Sequence, residues 1–316
     1  MYRAKTVGVV VPAHNEENLI LVTLGGMPDY VDHIIVIDDA SQDSTYELIT
    51  AAAQDDERIV CLKHEVNKGV GAAISTGYVW CRENDIDIAV VMAGDNQMDP
   101  DDLPALLDPI VENRTDYCKG NRLITGEAWK TIPRERYIGN ASLSFLTKIA
   151  SGYWHVADSQ TGYTALNHKA LHRIPLEDIY PRYGMPNDLL VTLNIYSLRV
   201  MDVPVRPVYG NEISGLKIRI VVFTLSILLL KLFARRMVQK YIIRDFHPLI
   251  LFYFAGFTSL FLSFLFLIRV LIVWYQVGNI PDLNFLAFLF SGLSGSQMIL
   301  FAMLFDMEAN RDLKGK

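Results

Sequence analysis

Through the first 121 residues, short uninterrupted apolar runs alternate with stretches in which apolar residues recur every three or four positions. The runs at 6–11, 33–37, 59–62 and 88–92 are too short for helices and predict buried strands. Residues 44–54 and 71–83 have helical spacing, the first introduced by the cap-like Asp43 and Ser44. Strand, helix, strand, helix with short connections predicts an α/β domain, a parallel sheet covered by helices on both faces. In such sheets the ligand crevice lies beyond the carboxyl ends of the strands. There the chain places His14-Asn15-Glu16-Glu17 after the first run, Asp38-Asp39 at the end of the second and Gly94-Asp95-Asn96-Gln97 after the fourth. Three carboxylate-bearing loops at one edge favour a shared site over three unrelated solvated loops.

Beyond residue 212 the pattern changes. Residues 213–244 hold seven basic side chains (Lys217, Arg219, Lys231, Arg235, Arg236, Lys240, Arg244) and no acidic ones, around the uncharged run 220–230. That run is too short for a hydrocarbon core that needs about 20 residues, so a helix in the headgroup region is expected, its basic residues toward anionic lipid; a helix packed on the globular domain is the competing reading. Residues 248–268, continuing past Arg269 to 275, and residues 283–305 are long enough to cross a bilayer. The 276–282 connection lacks Lys and Arg, whereas the basic segment precedes the first span and Arg311, Lys314 and Lys316 follow the second. The positive-inside rule then puts the globular domain and both termini in the cytoplasm. Arg269 is expected to snorkel to the outer interface. Ser291, Gly292, Gly295 and Ser296 suit close helix contact, either within the hairpin or between copies of the chain.

With 51% hydrophobic residues and a mean hydropathy of +0.22, the 316-residue chain is too apolar for an ordinary soluble domain. Its net charge of −6 divides unevenly: residues 1–212 carry 18 Lys/Arg against 30 Asp/Glu, the remainder 11 against 5. An acidic front half argues against nucleic acid as a partner. Acidic loops that handle phosphorylated substrates call for a metal ion between them. Cys61, Cys81 and Cys118 form no CxxC pair and read as reduced, buried thiols. The first residues run directly into an apolar strand without the pattern of a signal peptide, and the Asn113-Arg114-Thr115 and Asn140-Ala141-Ser142 glycosylation patterns are expected to be chance matches in a cytoplasmic domain.

Lys68-Gly69-Val70-Gly71-Ala72-Ala73 lacks the third glycine of a dinucleotide fingerprint and follows the third strand, not the first. These glycines are expected to let a loop turn tightly into a helix, with Asn67 and Lys68 near a nucleotide. Four motifs in order carry more weight: Val10-Val11-Pro12-Ala13-His14-Asn15-Glu16-Glu17, Val36-Ile37-Asp38-Asp39-Ala40-Ser41-Gln42-Asp43-Ser44-Thr45, Asn67-Lys68-Gly69-Val70-Gly71 and Asp95-Asn96-Gln97-Met98-Asp99-Pro100. Together they resemble family 2 glycosyltransferases of the GT-A fold. With Gly120-Asn121-Arg122, Asp158-Ser159-Gln160-Thr161-Gly162-Tyr163 and a two-span tail, the chain is similar to the polyprenyl-phosphate glycosyltransferases of the dolichol-phosphate mannose synthase group. The resemblance covers 5–217 by motif and the rest by architecture. It implies a GT-A catalytic domain over 1–212, a basic juxtamembrane segment over 213–246, a hairpin over 247–306 (spans 248–274 and 283–305) and a tail over 307–316.

The resemblance implies inverting transfer of a hexose or N-acetylhexosamine from a UDP- or GDP-sugar to polyprenyl or dolichyl phosphate at a lipid bilayer. Pro12, Ala13, Asn15, Glu16 and Asp39 would hold base and ribose, Asp38, Lys68 and Gly94 would also bind the donor, and Asp95 with Gln97 would hold a Mg²⁺ or Mn²⁺ ion on the diphosphate, for which hard oxygen ligands are suited. Where the family has Asp-x-Asp-x-Gln, this chain reads Ala93-Gly94-Asp95-Asn96-Gln97, so the first carboxylate is missing; Asp188 is a candidate substitute. Arg122 and Arg136 would clamp the acceptor phosphate, although a further arginine of the family is Ala141 here, and Asp158 would orient the acceptor. Tyr209-Gly210 through Ser214 and Lys217, with Arg206 nearby, resemble the loop that closes over donor phosphates. A processive polysaccharide synthase is disfavoured because none of Trp80, Trp129, Trp154 and Trp274 follows an Arg. A non-catalytic nucleotide-sugar-binding subunit is the alternative that Ala93 raises.

Overall fold

The computed structural model describes residues 1–123, 134–206 and 218–316, and within these the helical residues 134–142 and 218–222 by backbone alone. The chain forms two compact units, residues 1–233 with 312–316, and residues 234–311.

The first unit is built on strands β1 (Val7–Ala13), β2 (His33–Asp38), β3 (Ile59–Lys63), β4 (Ile88–Val91), β5 (Tyr117–Asn121), β6 (Thr164–Asn167) and β7 (Val200–Pro204), in the order β3-β2-β1-β4-β6-β5-β7. β1 to β4 are the four predicted strands and are parallel. The sheet as a whole is mixed, which corrects the all-parallel expectation: β6 runs antiparallel to both β4 and β5. Its helices are α1 (Ile20–Gly25), α2 (Thr45–Asp55), α3 (Val70–Glu83), α4 (Leu103–Val111), α5 (Arg134–Ser151), α6 (His168–Arg173), α7 (Met185–Ile195) and most of α8 (Ile218–Val238). Alternate strand residues face opposite cores. Val10, Ile35 and Ile37 join Tyr78, Leu166 and Leu189 on one side, and Val9, Val11, Ile34 and Val36 join Leu103 and Leu106 on the other. Burial on both faces is why these strands read as continuous apolar runs.

The glycine-bearing loop before α3 turns as expected. Gly69 has φ +98 at the helix N-cap, and a Cβ on Gly71 would collide with the carbonyl oxygen of Tyr180. Cys81 and Cys118 are buried and Cys61 half-buried, all as free thiols. α8 packs one face on the globular unit. Leu225, Leu229 and Leu232 pack with Leu143 and Ala150 of α5 and Val191 and Ile195 of α7, while Phe223 and Leu230 are 69% and 70% exposed.

The second unit contains the end of α8, a π-helical stretch Gln239–Arg244 and the helices α9 (Leu249–Val277) and α10 (Asp282–Ala309). At 29 and 28 residues, both are long and apolar enough to cross a membrane. They pack on each other through small residues. Gly256 and Gly295 approach so closely that a Cβ on Gly295 would lie 3.0 Å from the Gly256 carbonyl oxygen, and Ser259 donates to the Ser291 carbonyl at 2.9 Å. Gly292 faces Ser263, so three of the four small residues singled out serve the hairpin itself; Ser296 is exposed. Gly295→Leu is expected to separate the two helices at a cost of about 1–3 kcal/mol, read as a lower thermal midpoint of the purified chain in detergent; an unchanged midpoint would contradict this packing.

Arg236 departs from the expectation that the basic residues of this segment face lipid. It is fully buried, and its guanidinium makes two bonds to Asp306, at 2.7 and 2.9 Å. Tyr241 donates to the same carboxylate at 2.6 Å and Lys240 to Asn310 at 2.7 Å, so this cluster ties the π-helical stretch to the last turns of α10.

Candidate active site

The ordered pairing of β1 with its two neighbours brings the three carboxylate-bearing loops to one edge. Ala13 is opposite Asp38 across β1 and β2, and the Asp39 amide donates to the Ala13 carbonyl at 2.8 Å. On the other side of β1, the Gly94 amide donates to the Pro12 carbonyl at 3.2 Å, and Thr23 Oγ1 donates to the Gly94 carbonyl at 3.1 Å. Each loop contains one non-glycine residue in the left-handed region: Asn15 (φ 57), Ala40 (φ 58) and Asn96 (φ 54). Such conformations cost of order 1–3 kcal/mol each and persist where the surroundings enforce them. The enforcing contacts are present. Asn15 Oδ1 accepts from the Gln42 amide at 2.8 Å, Thr45 Oγ1 accepts from the Glu16 amide at 2.8 Å, and the Asp38 carboxylate accepts from the Ser41 amide at 3.3 Å.

Asp39 is buried and holds the neighbouring loop in place. Its two oxygens accept from the Lys68 amide at 2.9 Å and the Gly69 amide at 2.7 Å, and Oδ1 also meets His64 Nδ1 at 2.7 Å. Burial alone would raise this carboxyl, but the bonds from His64, Lys68 and Gly69 outweigh it and hold the group below the usual carboxylate range. Asp39 therefore fixes the loop that carries the exposed Asn67 and Lys68 side chains. His64, whose Nε2 bonds Thr76 Oγ1 at 3.0 Å, escaped the sequence reading because a single His after a strand has no local signature.

Asp95 and Gln97 lie half-buried on the third loop, where Asp95 Oδ1 accepts from the Gln97 amide at 3.1 Å. The turn carries a carboxylate and a carboxamide two residues apart, hard-oxygen groups of the kind that suit Mg²⁺ or Mn²⁺. Asp188, the candidate substitute for the missing carboxylate, is buried at the start of α7 and accepts from the Tyr180 amide at 2.7 Å, anchoring the segment that Gly71 packs against.

Beyond β5 the chain forms a buried charge network. Arg122 Nε and Nη2 reach the two oxygens of Asp158 at 2.9 and 3.3 Å, and that carboxylate is almost wholly enclosed. Burial opposes its ionisation, but the charge and hydrogen bonds of Arg122 and the charge of Lys119 prevail and keep it below the usual carboxylate range. The two-point contact of Asp158 fixes the orientation of the Arg122 guanidinium. Lys119, fully buried in the middle of β5, donates to the Thr161 carbonyl at 2.5 Å. Burial pushes its ammonium down to about 8, against the opposing influence of Asp158 and Asp202. Asp202 is its register partner on β7. Burial raises the Asp202 carboxyl, whose Oδ2 accepts from Ala157 and Asn121 while, among the described residues, Oδ1 has no hydrogen-bond partner. Gln160 extends the network through Ser159 and Asn187, at 2.8 and 3.3 Å.

Arg206 is engaged by carboxylates, at 3.0 Å from Asp99, 3.6 Å from Asp101 and 3.1 Å from Asp102, so it fastens the end of β7 to the turn following the Asp95 loop. Lys217 and the Tyr209–Ser214 loop lie outside the described residues, as does the side chain of Arg136.

A family model described as Glycosyl transferase family 2 matches residues 8–174. A UDP-N-acetylglucosamine--dolichyl-phosphate N-acetylglucosaminyltransferase of Methanococcus voltae is 31% identical over 65% of this chain and 86% of that protein. An undecaprenyl-phosphate mannosyltransferase of Micrococcus luteus is 28% identical over 65% of this chain and 86% of its own length. Among solved structures, glucosyl-3-phosphoglycerate synthase from Mycobacterium tuberculosis in complex with Mn²⁺, UDP and glucosyl-3-phosphoglycerate superimposes with a TM-score of 0.53 at 20% identity, over 74% of this chain and 80% of that one. At that identity the likeness establishes the fold, which is the expected GT-A fold.

Proposed function

The chain belongs to glycosyl transferase family 2, and from that premise we propose that it transfers a hexose or N-acetylhexosamine from a nucleotide diphosphate sugar to a polyprenyl or dolichyl phosphate at the cytoplasmic face of a membrane. The supporting observation is the joining, in one chain, of a domain similar to proteins named as lipid-phosphate glycosyltransferases with two helices long and apolar enough to span a bilayer. The exposed Phe223 and Leu230 of α8 would dip into the headgroup region. The globular unit, which includes most of α8, is followed by the hairpin, with both termini cytoplasmic.

In this reading Pro12, Ala13, Asn15, Glu16 and Asp38 line the base and ribose site, and Asp39 positions Lys68 beside the donor. Asp95 and Gln97 would hold Mg²⁺ or Mn²⁺, which would supply positive charge to the departing nucleotide diphosphate. One displacement inverts the anomeric carbon: the bond to the acceptor phosphate oxygen forms as the bond to the diphosphate oxygen breaks. The acceptor needs no strong base, because a phosphate monoester with a second pKa of about 6 is largely dianionic at neutral pH. It needs a cation in a fixed orientation. Arg122, held by Asp158, supplies a planar guanidinium, joined by Arg136. Lys217 would complete the donor-phosphate side; Arg206, expected there as well, is instead held by Asp99, Asp101 and Asp102.

The purified chain, incubated with each radiolabelled UDP- and GDP-sugar, Mg²⁺ or Mn²⁺ and a polyprenyl or dolichyl phosphate, is expected to convert one donor into label extractable by organic solvent. Addition of EDTA should abolish the product. Absence of lipid-soluble label from every donor would refute the proposed acceptor.

A further inference from the structure

Three side chains at the opposite end of the sheet from the donor loops bring metal-ligating atoms together. Asp85 lies in the turn between α3 and β4, and His168 and His172 lie one helical turn apart on α6. β6 runs antiparallel to β4, with Asn167 opposite Ile88, so the start of α6 falls beside the turn that begins β4. One carboxylate oxygen and one imidazole nitrogen from each histidine lie within 4.8 Å of one another.

We propose that Asp85, His168 and His172 form a binding site for a divalent transition-metal ion of the Zn²⁺ class. The donor set of two imidazoles and a carboxylate suits such ions, and histidines four apart on one helix face are a recurrent chelating arrangement. His172 is prepared for ligation: its Nδ1 donates to the His168 carbonyl at 3.0 Å, which leaves the lone pair on Nε2. The two rings are stacked with centroids 4.1 Å apart, so they are held side by side. His168 Nε2 lies 2.7 Å from Asp85 Oδ1. Tetrahedral Zn²⁺ with ligand distances near 2.1 Å needs donors about 3.4 Å apart, inside the 4.8 Å that already encloses these three atoms. Asp85 itself has φ 57, a turn conformation that directs its carboxylate toward α6. Bound there, the ion would cross-link the α3–β4 turn to α6 and leave a coordination position open to solvent. The site is separate from the transfer chemistry, because it lies at the amino end of β4 whereas Asp95 follows its carboxyl end.

The full-length chain without an affinity tag, stripped of metal and kept in excess Mg²⁺ to occupy the hard-oxygen site, is titrated with Zn²⁺ against a chromophoric chelator. One tight equivalent is expected, weakened about tenfold or more in each of His168→Gln, His172→Gln and Asp85→Asn. Co²⁺ should give a visible absorption band that the same variants lose, and Zn²⁺ should raise the thermal midpoint of the original chain only. Glycosyl transfer with Mg²⁺ should be the same in His172→Gln as in the original chain. Equal Zn²⁺ affinity in the variants and the original chain, or the absence of saturable binding, would overturn the site; loss of Mg²⁺-supported transfer in His172→Gln would overturn its separation from the transfer chemistry.

Discussion

Asp95→Ala is expected to lower glycosyl transfer by about 10³-fold while nucleotide binding, measured by calorimetry without metal, persists. Two features make the effect large. Because residue 93 is alanine, Asp95 is the single carboxylate of the 93–97 turn, and its loss leaves Gln97 without a charged companion. Asp95 also organises the turn, since Oδ1 receives the Gln97 amide. Asp95→Asn separates these roles: the amide oxygen can still accept that bond, but the charge is gone. If charge on the departing diphosphate is what matters, Asn and Ala variants should be similarly slow; an Asn variant near the original rate would show that Asp95 shapes the turn and that the charge comes from elsewhere.

Lys119→Met is expected to destabilise the globular unit by about 3 kcal/mol and to slow transfer through misplacement of Arg122. The ammonium is fully buried, with Asp158 and Asp202 nearby. Removing it leaves two enclosed carboxylates, of which Asp158 retains Arg122 while Asp202, among the described residues, keeps the neutral donors Ala157 and Asn121. The pH dependence identifies the cause. Burial lowers Lys119 from its ordinary 10.5 to about 8, so its desolvation cost is fully present below about 8 and falls away as pH rises toward 10.5. The original chain should therefore gain stability across that interval from this group, and the Met variant should lack that gain. On the acid side, the depressed Asp158 contributes stability above the usual carboxylate range that is lost as pH falls through its folded value. Without Lys119 this contribution should be smaller and its loss complete at a higher pH. Thermal midpoints followed by tryptophan fluorescence at several pH values test both limbs; identical profiles for the two proteins would remove Lys119 from the network.

The first four strands, helices α2 and α3 and both apolar spans were legible because each is a local pattern, whereas the six-residue α1 was not. Continuous apolar runs mark strands buried on both faces, and a charge-free stretch of the length of a bilayer marks a span. The three carboxylate-bearing loops were legible for a related reason: parallel strands with short connections leave polar residues at one edge whatever the details of packing. β5 and β7 were not legible. Lys119, Asn121 and Asp202 interrupt their apolar pattern, and only pairing across the sheet, together with the loop bearing Asp158, gives those polar groups partners. The antiparallel β6 is a four-residue strand with too little pattern to reveal its direction.

The basic segment shows the same division. Its composition identified a positively charged element before the spans, yet Arg236 faces inward because Asp306, seventy positions later, supplies a carboxylate where α10 ends. The small residues of α10 announced a close contact, and the partner Gly256 assigned that contact to the hairpin. Sequence alone thus determined the elements whose cause is local: apolar periodicity, span length and motif-bearing loops. The tertiary structure decided which charges meet, as in Asp39 with His64, Arg122 with Asp158 and Arg236 with Asp306, because the energy of a buried charge depends on partners that the fold brings together from distant positions.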